Sequence, residues 1–137
     1  MKRNPNVRHI TAITLLLCLS LLFFTGCDSS PIAALVVDSQ AYETGTALDS
    51  AQQPATLEAG SDVHASMRVI ESPLGMKYTA KWFLNGKEIF SEEKATTQDK
   101  TCILVFTLDK ALVGKGALKM QIQHRGQTLI EKEIPVE

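Results

Sequence analysis

Three groups of residues in this chain have side chains suited to chemistry: a cysteine framed by small residues, two histidines, and two sets of neighbouring carboxylates. The cysteine is Cys27, in Phe24-Thr25-Gly26-Cys27. Small neighbours leave its thiol accessible, and a thiol is the soft nucleophile best suited to thioether formation. His64 and His124 follow in the body of the chain, and no C-x-x-C or H-x-x-x-H spacing surrounds either. Both read as surface side chains, one on a polar stripe and the other beside a turn. Glu92-Glu93 and the Glu131/Glu133 pair could in principle do acid–base work or hold calcium. Glu131 and Glu133 flank Lys132 in an alternating run, however, which reads as a solvated strand face. There is no G-x-S-x-G elbow or dinucleotide fingerprint, and Gly114-Lys115-Gly116 lacks the spacing and hydroxyl residue of a phosphate loop. The residues thus predict no catalytic, cofactor or metal site, and no enzyme.

The elements around Cys27 give it a context. Lys2, Arg3 and Arg8 precede the 15-residue apolar run Ile10–Phe24, and no acidic residue appears before Asp28. A basic start, a short apolar run and a small-residue pair form the order of a secretory signal. The run is shorter than the roughly 18 residues expected of a spanning helix. Without residues 1–26 the chain has 11 basic and 15 acidic residues, a formal charge of −4. That balance offers no footprint for nucleic acid, whose binders cluster Lys and Arg.

Phe24-Thr25-Gly26-Cys27 resembles the lipobox of bacterial lipoproteins, in which a Leu-Ala/Ser-Gly/Ala-Cys pattern precedes cleavage. The resemblance implies cleavage between Gly26 and Cys27 and a diacylglyceryl group on the Cys27 sulfur, with Phe24 in place of the usual Leu. Two acyl chains suffice for stable anchoring, since each buried CH₂ contributes about 0.8 kcal/mol. Asp28 matches the aspartate that keeps enterobacterial members in the inner membrane, if the source has two membranes. The expected organisation is a signal peptide at 1–26, a lipidated tether at 27–31 and one domain at 32–137. Cys18 leaves with the signal, so Cys102 has no disulfide partner and reads as a small buried hydrophobe.

Alternation organises the body. "IAALVVD" after Pro31 predicts a first strand, and Ser39–Ala59 reads as a long loop with a short strand around Thr46–Leu48. In "DVHASMRVIE", Val63, Ala65, Met67 and Val69 share a face, with His64, Ser66 and Arg68 opposite. "ESPLGM" gives a Pro-x-Gly turn. Tyr78, Ala80, Trp82 and Leu84 form the next stripe, and Asn85-Gly86 is a hairpin signal that both residues can meet with φ > 0. "TCILVFTL" is apolar on both faces, predicting a strand that is central or covered by a loop. "DKALVGKG" predicts a helical turn. Leu118, Met120 and Ile122 point inward, Arg125-Gly126 makes a second hairpin, and Pro135 puts the last strand at an edge.

Seven strands with turns every 8–12 residues predict an all-β sandwich. Trp82, Asn85-Gly86 and "GKGALKMQIQHRGQTLIEKEIPV" resemble the C-terminal half of immunoglobulin-like and fibronectin-III-like bacterial modules. Two departures are the missing cysteine pair and Leu118 where a tyrosine often stands. Trp82 reads as core, the alternative being an exposed platform for sugar or peptide. Phe83, on the opposite stripe, and Phe90 are the candidate partner patch, unless the Ser39–Ala59 loop covers Phe83. The expected role is non-enzymatic: an interaction at the cell envelope with a protein partner. The alternative is a carbohydrate- or peptide-binding module using exposed aromatics.

Overall fold

In the computed structural model of the chain, which describes residues 30–137, every alternating stretch is a strand. They are β1 (Ile32–Asp38), β2 (Val63–Ser72), β3 (Lys77–Leu84), β4 (Lys87–Ala95), β5 (Lys100–Leu108), β6 (Gly116–His124) and β7 (Gln127–Val136). They form two antiparallel sheets, ordered β1-β2-β5 and β4-β3-β6-β7. The fold is an immunoglobulin-like β-sandwich. Constant-type immunoglobulin domains place the fourth strand beside the fifth; here β4 pairs with β3 instead.

The period-2 pattern decides what is buried. Val63, Ala65, Met67 and Val69 of β2 face Tyr78, Ala80 and Trp82 of β3 across a core completed by Phe106, Leu108, Leu118, Met120 and Ile122. Trp82 is 0% exposed, a core tryptophan, and its indole Nε1–H has no acceptor among the described residues. Cys102 is buried with a free thiol, in line with its reading as a small hydrophobe. Both hairpin signals act as expected. Asn85 and Gly86 have φ of 51° and 83°, and Arg125 and Gly126 have 50° and 79°, the signs that a type I′ turn requires.

Two local expectations are corrected. Thr46–Leu48 is not a strand but the middle of a helix, α1 (Gly45–Ser50). The Thr44 hydroxyl accepts from the Ala47 N–H at 3.2 Å, capping the first turn, and Leu48 gives the helix one buried side chain. One apolar contact per turn suits a helix lying on a sheet. β5 is not central but an edge, next to β2 alone in its sheet. Its outer residues Ile103 and Val105 are half-buried, and side chains from β4 rather than a loop reach its open side. Lys94 Nζ donates to the Val105 carbonyl, and Glu92 accepts from the Thr107 N–H at 3.4 Å. "DKALVGKG" does form a helical turn, at Lys110–Leu112, capped by Asp109, and β7, with Pro135, is an edge.

The segment between β1 and β2 is ordered against the sandwich. The Tyr42 N–H donates to Ser66 Oγ at 2.8 Å, and Arg68 pairs with Asp49 at 2.7 Å. It therefore covers the outer face of the β1-β2 sheet, which is why Ser66, on the polar stripe, is fully buried. Phe83 lies on the other sheet and is not the residue this segment covers.

Candidate functional site

The antiparallel connections define two poles. The start of β1, the β2–β3 turn, the β4–β5 loop and the β6–β7 turn gather at one; the β3–β4 turn, the β5–β6 connection and the end of β7 gather at the other. The first pole holds a cleft of about 710 Å³ bounded by Pro31, Pro73, Leu74, Met76, Lys77 and His124, among others.

The β2–β3 turn forms its rim. The Met76 N–H donates to the Pro73 carbonyl at 3.2 Å, and Gly75 has φ 81°, so glycine supplies the positive φ that a type II turn needs at its third position. Thr96, almost fully buried, straps the turn from the other side of the pole. Its hydroxyl donates to the Pro73 carbonyl at 2.6 Å and accepts from the Met76 N–H at 3.0 Å, while its carbonyl accepts from the Gly75 N–H at 2.9 Å. Beneath the turn, Ser72 Oγ lies 3.1 Å from both Met76 Sδ and Tyr78 Oη. The effect is selective. Met76 is drawn inward, and Leu74 is held out with 64% of its surface exposed. Ile70 emerges at the same pole, 38% exposed, its N–H bonded to the Pro31 carbonyl at 2.8 Å.

The polar groups here are largely used in structure. His124 Nδ1 lies 2.8 Å from the Lys77 carbonyl, and its ring packs on Tyr78 with centroids 5.6 Å apart. Lys77 pairs with Glu93 at 2.9 Å. His64 sits towards the other pole with Nδ1 3.0 Å from Thr107 Oγ1, so the structure does not bring the two histidines together. Glu92 pairs with Lys94 at 3.2 Å, and Glu131 accepts from Gln121 Nε2 at 2.9 Å. Among the described residues no group of three or more His, Cys, Asp or Glu is placed to hold a metal ion.

Phe83 and Phe90 do not form one patch. A bulge after Trp82 puts Phe90 opposite Trp82 and Phe83 opposite Glu88, so the rings do not share a cross-strand row. Phe83 is half-buried with Lys119 Nζ 5.1 Å from its ring centre, and Phe90 is 37% exposed on edge strand β4. Gly26, Cys27 and Asp28 lie outside the described residues. Sequence reasoning found the Pro-x-Gly turn but missed Leu74. Its signal was a large apolar residue at the second position of a turn, where exposure is the rule.

Neither family models nor curated proteins match the sequence. Among solved structures, an immunoglobulin-like protein from Pseudomonas aeruginosa is similar at 16% identity and TM-score 0.43, over 63% of this chain and 80% of that one. A β-glucosidase from Listeria innocua is similar at 11% identity and TM-score 0.48, over 63% of this chain but 15% of its own. The CARDB domain of a Pyrococcus furiosus protein, in complex with di-metal ions, is similar at 6% identity and TM-score 0.41, over 76% and 86%. Likeness at this level concerns the sandwich fold alone.

Proposed function

We propose that the chain is a bacterial lipoprotein, anchored through a diacylglyceryl group on Cys27, with a non-enzymatic interaction role at the cell envelope. The observation that carries this reading is the order of a basic start, the apolar run Ile10–Phe24 and Thr25-Gly26-Cys27. Support comes from the spacing that follows: β1 opens five residues after Cys27, at Ile32, leaving a short polar tether between anchor and domain. His64, His124, Glu92, Glu93 and Glu131 each hold a structural partner on a strand or turn, in keeping with a binding role. Asp28 places the protein on the periplasmic face of the inner membrane where the source has two membranes. Its partner there is another envelope protein, to be identified by cross-linking in the native envelope.

The anchoring is tested by labelled palmitate and cell fractionation. Wild type should take up label and sediment with membranes, with a mature chain beginning at Cys27. Cys27→Ala should take up none. If Cys27→Ala still fractionates with membranes at the wild-type mature mass, the anchoring reading is wrong.

A further inference from the structure

The pole that carries Pro31 has a feature the anchor alone does not account for. Of the four large apolar residues exposed among the described residues, Ile70 and Leu74 are both there, and Leu74 is the most exposed of the four. Leu74 is not on a floppy loop. Its turn is closed by its own hydrogen bond and strapped by four more to Thr96. A rigid turn that draws Met76 in and holds Leu74 out presents an apolar side chain at the pole where the chain enters the domain.

From this we infer that the Pro31 pole docks onto the lipid surface, with Leu74 entering the headgroup–acyl boundary as a second, non-covalent contact. The inference rests on lipidation of Cys27 and names the orientation that follows. The four residue steps from Cys27 to Pro31 span at most about 14 Å even when fully extended. A ten-residue strand is about 33 Å long, so the opposite pole lies beyond the reach of the tether. At that separation a weak contact is enough, because tethering makes docking an intramolecular event at high effective concentration. The charges at the pole decide the kind of surface. Lys77, Lys100 and Arg125 are offset by Glu71, Glu93 and Asp99, so the contact is apolar and does not select anionic lipid.

The test uses the full lipidated protein reconstituted into phosphatidylcholine vesicles carrying brominated acyl chains. A fluorescent label is placed at Thr101→Cys, exposed at the same pole opposite Ile70, or at Lys87→Cys on the opposite pole, each with Leu74 kept and with Leu74→Ser; Cys102 is buried and Cys27 is blocked by its lipid. Mass spectrometry of the Cys27 peptide and vesicle flotation are read on the same samples. Docking predicts at least threefold quenching at position 101 and none at 87, lost with Leu74→Ser and unchanged when one third of the lipid is phosphatidylglycerol or when salt is raised. Equal, weak quenching at both positions in a lipidated, floating sample overturns the docking and leaves the anchor standing. Strong quenching only with phosphatidylglycerol overturns the apolar contact in favour of an electrostatic one. An unlipidated sample that does not float overturns the anchoring reading, and the docking with it.

Discussion

Single residues set several of the tightest constraints in this sandwich. Asn85 holds a positive φ in the β3–β4 turn, and it also reaches the start of β6. Its Oδ1 accepts from the Ala117 N–H and its own N–H donates to the Ala117 carbonyl, both at 2.9 Å. The side chain fills the space where a Cβ on Gly116 would stand: a Cβ there would lie 2.2 Å from Asn85 Oδ1, and Gly116 has φ 135°. Gly116→Ala should therefore destabilise by about 3 kcal/mol, from backbone strain and a displaced hydrogen bond, read as a lower urea midpoint with unchanged slope. In the sequence this glycine reads as an ordinary turn residue, because the group that crowds it lies far away along the chain. Trp82 and Cys102 were legible, since an alternating stripe states its own burial. Ser66 was not, because its cover comes from another segment. Tyr42 offers a pH test. Its hydroxyl donates to Asp38 Oδ2 at 2.7 Å, and that bond, then burial and the aspartate's charge, raises its pKa above 10.0. The phenol is thus held more tightly in the folded state. Its stabilisation is complete below pH 10 and is lost as pH rises through the folded-state value. Tyr42→Phe should remove that alkaline decline from a series of melting temperatures, while the wild type shows it.

At the scale of elements, open strand edges are the hazard of any sandwich, and here side chains close two of them. Beyond the β4 side chains that reach β5, Gln53 treats β1 as a neighbouring strand would. Its Oε1 accepts from the Val37 N–H at 3.0 Å, and its Nε2 donates to the Val37 carbonyl at 2.7 Å. Lys132 of β7 adds bonds to the Leu35 carbonyl at 2.6 Å and to Gln53 Oε1 at 3.0 Å. Burial lowers the Lys132 pKa from 10.5, so the cost of holding its charge is present at neutral pH and fades as pH rises towards that value. Gln53→Ala should cost about 1 kcal/mol and raise amide exchange at Val37 well beyond its effect on β2. Leu48→Ala should cost about 2–3 kcal/mol and expose the Tyr42 amide to exchange while core amides of β3 and β6 stay protected. Both outcomes can be read in one hydrogen-exchange experiment. Strand identities were legible from period-2 alternation. The edge position of β5 was not, because two-sided apolarity reports that something covers a strand and not what does so.

For the whole molecule, the pattern of seven strands with two Asn-Gly-type turns was enough to specify a sandwich, and the sheet order then placed the turns at the poles. The candidate site was legible in part. The Pro-x-Gly turn stood out because its signal is local to a short stretch, whereas the Thr96 strap joins two connections that only the fold brings together. The same sheet order has a mechanical side. β1 enters at the Pro31 pole and β7 leaves at the opposite one, and the two lie side by side as edges of facing sheets, joined by Lys132. A pull between Pro31 and Val136 would slide these strands along their length, loading every rung of each ladder together. A pull between positions 31 and 127, both at the Pro31 pole, would instead peel the rungs one after another. Single-molecule stretching should find a markedly higher rupture force through 31 and 136 than through 31 and 127. A domain held at these two ends is built to bear load.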